Sequence, residues 1–219
     1  MINILTSHTL LEGPKQITLI KNYLKDVKQV VIILYSFFDS DITNRDQYIK
    51  YYGSDSDYYK KLVQAFKNYG VSEDKFYIVD YFKSLTPLAI EIIKCADCIY
   101  FPGGAPDLFM DRIHKKNIIS AITYNKENKI FFGSSAGAMI QFTEFFITPD
   151  DKYTKLSYHR GLPLLKNSYI QVHYHKNRTE IRYLNKIKKE EKPIILLKED
   201  SVCIFQNGSL LTGINILHF

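Results

Sequence analysis

The sequence is poor in cysteine, has no long apolar stretch and carries no dense run of one charge. Three cysteines, an odd number, argue against a disulfide framework. Cys95 and Cys98 form a single C-x-x-C. A zinc site would need two more ligands at suitable spacing, and a redox pair would stand at a helix N-terminus. Here the pair lies where a predicted helix runs into a strand, so it reads as two small packing residues. No metal and no cofactor is expected.

A bilayer span needs roughly 18 apolar residues. The longest run, Val30–Phe38, is about half of that and reads as a buried strand. Met1–Thr6 has neither a basic segment nor a small-residue cleavage site. The expectation is a cytoplasmic protein with no membrane partner. The net charge is +6, but the densest basic stretch, Lys186–Lys192, is interrupted by Glu190 and Glu191. It reads as the solvated end of a helix rather than a nucleic-acid surface.

What is present is an ordinary globular balance: 219 residues, 46% hydrophobic and 24% charged. One domain over residues 1–219 is the simplest division, as a monomer or homodimer. Strand and helix patterns alternate. Gln29–Tyr35 is a continuous β-branched run, as in a strand buried on both faces. Helical spacing marks Pro14–Lys25, Asp57–Asn68, Pro87–Cys95, Asp107–His114, Ile118–Asn125 and Thr179–Lys189. The polar, Tyr-rich segment Asp39–Ser56 reads as a long loop or lid over the site. Asn207-Gly208 predicts a hairpin turn between the last strands. Repeated β-α units imply a three-layer α/β fold, a mostly parallel sheet with helices on both faces.

The chemical signal is Gly133-Ser134-Ser135-Ala136-Gly137-Ala138, directly after the strand Ile130–Phe132. It fits G-x-S-x-G, in which a serine sits on a sharp strand-to-helix turn that larger flanking residues would obstruct. Ser135 holds the central position; Ser134 is its neighbour. A serine nucleophile needs a base. Of six histidines, His173 ends a predicted strand, where catalytic groups of open α/β sheets gather; His175 is the next candidate. Four carboxylates remain open as the orienting acid: Glu199, Asp200, Asp150 and Asp151. Gly104, after the strand Cys98–Phe101, and Ala136 are the expected oxyanion donors through their backbone N–H groups.

These blocks resemble the peptidase E (aspartyl dipeptidase) family, with the cyanophycinases, in the class I glutamine amidotransferase-like, flavodoxin-like fold. Tyr100-Phe101-Pro102-Gly103-Gly104 is similar to its strand and Gly-Gly turn. Gly133–Ala138 matches its G-x-S-A-G-A. Val172-His173-Tyr174, with Arg178 and Arg182 downstream, is similar to its His-Phe block and following arginines. The order and spacing agree from about Val30 to Gly213. The sequence departs in Ala105-Pro106-Asp107, where the family usually has Asn, and in Tyr174.

The resemblance implies a serine peptidase acting on short peptides, including dipeptides with N-terminal Asp. Ser135 would be the nucleophile, His173 the base and Glu199 the acid. Arg178 or Arg182 would hold an acidic side chain bidentately. Two readings compete: an esterase of the α/β-hydrolase type, in which the acid precedes the histidine in sequence, and a catalytically silent scaffold.

Overall fold

Five short β-branched and aromatic runs build the parallel part of the sheet: β1 (Ile2–Thr6), β2 (Val30–Leu34), β3 (Phe76–Asp80), β4 (Cys98–Phe101) and β5 (Ile130–Ser134). They appear in a computed structural model that describes residues 1–187 and 192–219. Their order is β1-β5-β4-β2-β3, all pairs parallel. Period-2 alternation divides each strand between two cores. Val31, Ile33, Ile99, Phe101 and Phe131 face one core; Val30, Ile32, Leu34, Tyr100 and Phe132 face the other.

Helices cover both faces. On one side, α1 (Pro14–Leu24) and α3 (Asp57–Asn68) bury Ile20, Leu24, Leu62 and Phe66. On the other, α4 (Pro87–Cys95), α5 (Pro106–Lys115) and α6 (Ile119–Thr123) bury Ile93, Phe109, Ile113 and Ile122. Pro14, Pro87 and Pro106 each open a helix, where a missing N–H costs no hydrogen bond. The arrangement is the flavodoxin-like α/β fold. Cys95 is exposed at the end of α4 and Cys98 is buried in β4.

The expected loop at Asp39–Ser56 instead contains a helix, α2 (Arg45–Tyr52). Asn44 caps it, its side chain accepting from the Gln47 N–H. Its buried residues are Tyr48 and Tyr52, which pack on Phe37. The apolar stripe is made of tyrosine rings, so the segment looks polar in sequence.

Beyond β5 come a short α7 (Ala136–Met139), a separate hairpin of β6 (Glu144–Ile147) and β7 (Ser157–Arg160), then β8 (Tyr169–Gln171) and α8 (Arg178–Ile187). The predicted continuation of α8 to Lys189 falls outside the described residues. Two of the expected last strands are one: β9 runs from Ile194 to Gln206 and turns at Asn207-Gly208 into β10 (Ser209–His218). β9 lies antiparallel to β1 and β10 and parallel to β8. Among the described residues no helix is long and apolar enough to cross a membrane.

Candidate active site

Ser135 stands between β5 and α7 with φ 50° and ψ −117°. This backbone region is sparsely populated for a side-chain-bearing residue, and the surroundings hold it there. The Ser135 N–H donates to Thr6 O at 2.8 Å, tying the turn to β1. Gly137 allows the close approach of β4: a Cβ there would lie 1.8 Å from Phe101 O. Gly104 has φ +138°, and its Cβ would lie 2.0 Å from Ser36 O. Both positions therefore require glycine. Gly104 and Ser135 line the same cavity.

Ser134 points away from it. Its hydroxyl shares a buried cluster with Tyr100 Oη at 2.7 Å and Thr9 Oγ1 at 2.9 Å. Burial pushes the Tyr100 phenol up to about 12, so it remains a neutral hydrogen-bonding partner.

His173 follows β8 with φ 54°. Its N–H donates to Ser7 Oγ at 3.1 Å, and the Ser7 hydroxyl donates to Leu197 O at 3.2 Å. Ser7 thus ties the histidine to β9, a role that a lone serine after a strand did not announce. The ring bridges two partners: Nε2 is 2.9 Å from Ser135 Oγ and Nδ1 is 2.7 Å from Glu199 Oε2. An ionised Glu199 fixes the proton on Nδ1 and leaves the Nε2 lone pair toward the serine.

Glu199 lies within β9. A bulge presents it. Leu197 pairs with Ile216 and Val202 with Ile214, so residues 198–201 stand opposite Asn215 alone. Ser201 Oγ accepts from the Lys198 N–H at 2.8 Å and donates to Asn215 O at 2.7 Å, closing the bulge. The other three carboxylates left open by the sequence are engaged elsewhere. Asp200 accepts from Asn215 Nδ2. Asp150 accepts from the N–H groups of Lys152 and Tyr153. Asp151 is exposed in the loop between β6 and β7.

Three imidazoles surround Glu199. Besides His173, His8 Nε2 is 2.5 Å from Oε2 and His175 Nε2 is 3.1 Å from Oε1. Burial raises the Glu199 pKa, but its hydrogen bond to His173 and the neighbouring imidazoles of His173, His8 and His175 outweigh it. The carboxyl therefore lies below its ordinary range. His175 contacts the acid rather than the serine.

The cavity beside Ser135 holds about 490 Å³, within the range for a small ligand. Phe38, Met139, Phe146 and Tyr153 give it apolar walls. The loop between β6 and β7 forms one side, braced by the Tyr153 hydroxyl donating to Asp107 at 2.6 Å. No residue of 39–56, the expected loop or lid, lines it; α2 packs into the helical layer instead.

Arg178 and Arg182 also stay outside. They sit four positions apart on one exposed face of α8, whereas Thr179 and Tyr183, one step round the helix, face the cavity. Among the described residues that line the cavity there is no lysine or arginine, and Asp150 and Glu180 are the acids.

The flavodoxin-like sheet thus carries a strained serine at the end of a central strand, within hydrogen-bond reach of an imidazole that also meets a carboxylate. The chain belongs to peptidase family S51, whose family model matches residues 48–213, and it is a serine-type peptidase. A Listeria monocytogenes EGD-e protein described as a candidate peptidase E superposes at TM-score 0.64 and 17% identity, covering 96% of both chains. A peptidase from an acI-B1 Actinobacterium superposes at TM-score 0.67 and 16% identity, covering 100% of this chain and 93% of the other. At these identities the likeness shows a shared fold. No curated protein sequence matches.

Proposed function

We propose that the protein hydrolyses short peptides through an acyl-enzyme on Ser135, with His173 as general base and Glu199 as its orienting acid. The observation that carries this reading is the unbroken relay from Ser135 Oγ through His173 to Glu199 at 2.9 and 2.7 Å, at the edge of the cavity that Ser135 and His173 line.

Substrate binds with its scissile carbonyl carbon over Ser135 Oγ. As Oγ attacks, its proton passes to His173 Nε2, and Glu199 stabilises the imidazolium that forms. The backbone N–H groups of Gly104 and Ala136 receive the developing oxyanion. The intermediate collapses, the C–N bond breaks, and His173 gives its proton to the leaving amine. Water then attacks the acyl-enzyme with His173 again as base, releasing the acid and restoring Ser135.

The proposal stops at short peptides. An N-terminal Asp side chain would need a cation facing it, and the arginines offered by the sequence lie on the outer face of α8. The α/β-hydrolase reading loses support because Asp150 and Asp151, the acids ahead of His173 in the chain, do not touch it.

The test is a dipeptide and ester panel run beside Ser135→Ala, with organophosphonate labelling of the wild type. Peptide turnover and labelling, both abolished by the substitution, are expected. Turnover of esters alone would replace the peptidase reading with a general acyl hydrolase. Neither turnover nor labelling would leave the scaffold reading.

A further inference from the structure

The cluster around Glu199 contains more imidazole than a proton relay uses. His8 extends from the loop after β1 and shares Glu199 Oε2 with His173. The two rings meet edge-on with centroids 5.0 Å apart. A ring nitrogen of His8, a ring nitrogen of His173 and a Glu199 oxygen all lie within 4.8 Å of one another, and Oε2 is 2.5 Å from His8 Nε2 and 2.7 Å from His173 Nδ1. Two imidazole nitrogens and a carboxylate are the donor set of a three-ligand Zn²⁺ site whose fourth position is water. We propose that His8, His173 and Glu199 form an inhibitory binding site for Zn²⁺ or a similar borderline transition metal.

The consequence follows from the tautomer. A neutral His173 carries one proton, on Nδ1 in the resting relay. A metal bound through Nδ1 displaces that proton to Nε2, where the ring becomes a donor toward Ser135 and can no longer take its proton. The hydrogen bond to Glu199 is lost in the same event. No bond to substrate forms or breaks, and chelation reverses it.

The approach also differs from that of substrate. His8 and Glu199 do not line the cavity beside Ser135; Glu199 opens instead into a cleft with Tyr174, Lys198 and Asp200. His8 is half-exposed, its side chain 53% accessible. His8 itself borders a further cleft with Tyr58 and Lys61, so a metal need not pass through the cavity beside Ser135 to reach the cluster. Hard cations such as Mg²⁺ prefer oxygen ligands and gain little from imidazoles.

Metal binding itself stands on geometry alone; the inhibition rests on the proposed relay, and the test separates the two. Binding is measured by titrating Zn²⁺ into Ser135→Ala protein against a chromophoric chelator at pH 7.5. One equivalent at micromolar affinity or tighter is expected, weakened at least tenfold by adding His8→Ala. With active enzyme, Zn²⁺ should lower kcat with KM nearly unchanged, EDTA should restore the rate, and Mg²⁺ should have no effect. In His8→Ala the half-inhibitory Zn²⁺ concentration, taken against that variant's own rate, should rise at least tenfold. No binding below millimolar Zn²⁺, or binding that survives His8→Ala undiminished, overturns the site. Zn²⁺ binding lost with His8 but causing no inhibition of an active enzyme overturns the inhibitory role. Absence of peptidase activity would count against the proposed function and leave the binding measurement standing.

Discussion

His173 and Glu199 meet at 2.7 Å although 26 positions separate them. The register of two parallel strands brings them together. Gln171 of β8 pairs with Leu196 of β9, and the Tyr174 N–H donates to Leu197 O at 2.9 Å. The two segments thus run side by side, and the bulge at 198–201 turns Glu199 toward the ring. An acid held by register and closed by Ser201 is not free to drift.

Glu199→Gln should therefore keep the fold and lose the tautomer. The amide can donate to Nδ1 and hold the proton on Nε2, where it blocks the serine. A fall of roughly 10³–10⁴ in kcat is expected, with a circular dichroism spectrum and KM close to wild type. A loss below tenfold would remove Glu199 from the relay.

Its titration should appear in stability as well. The folded Glu199 pKa is depressed, so its contribution is present above the ordinary glutamate value and lost as pH falls through the folded one. The Tm advantage of wild type over Glu199→Gln should be present above the ordinary glutamate value, about 4.3, and shrink as pH falls below it. Scanning calorimetry from pH 3 to 7 checks this; a gap that stays constant to pH 3 would contradict it.

Ser134→Ala distinguishes the two adjacent serines. The substitution removes one hydroxyl from a buried cluster, and Tyr100 and Thr9 stay within hydrogen-bond reach of each other. It should cost about 1 kcal/mol in urea unfolding while phosphonate labelling and turnover persist. Loss of labelling in this variant would move the nucleophile to Ser134.

Gly137→Ala should be far more damaging than a methyl group suggests. Its Cβ would fall 1.8 Å from the Phe101 carbonyl oxygen, which is backbone and has no rotamer to escape through. A loss of more than about 2 kcal/mol is expected by urea unfolding, in the class of overpacked, strained sites. A variant as stable as wild type would mean that β4 and α7 separate readily.

Arg178→Ala and Arg182→Ala should change kcat/KM less than about threefold on any peptide the enzyme cleaves, since surface charges off the site act weakly. Tyr183→Ala, which alters the cavity wall, should change it more. A selective loss of Asp-X cleavage in either arginine variant would show that α8 turns in the bound state.

Local signals made much of this legible. The parallel strands announced themselves as β-branched runs, the elbow as a serine between small residues, and His173 as a histidine following a strand. Each depends on a few consecutive residues. What stayed hidden depends on pairing between distant segments. Nothing in Lys198-Glu199-Asp200-Ser201 says that β9 continues through it, because the bulge exists only against Asn215. Nor does a helical run show which face turns inward, so the sequence could not reveal that Thr179 rather than Arg178 lines the cavity. The α2 helix was missed because tyrosines, not aliphatics, form its buried stripe.

The double pairing of β9 has a consequence during synthesis. β9 flanks β1 and β8 together, and it follows Ser135 and His173 in the chain. A polypeptide emerging from the ribosome thus acquires Ser135 and His173 before Glu199. Until the terminal hairpin docks against β1, the imidazole lacks its Glu199 partner, and under the proposed mechanism the serine is not yet activated. Order of translation would thereby keep the peptidase silent until its sheet is complete.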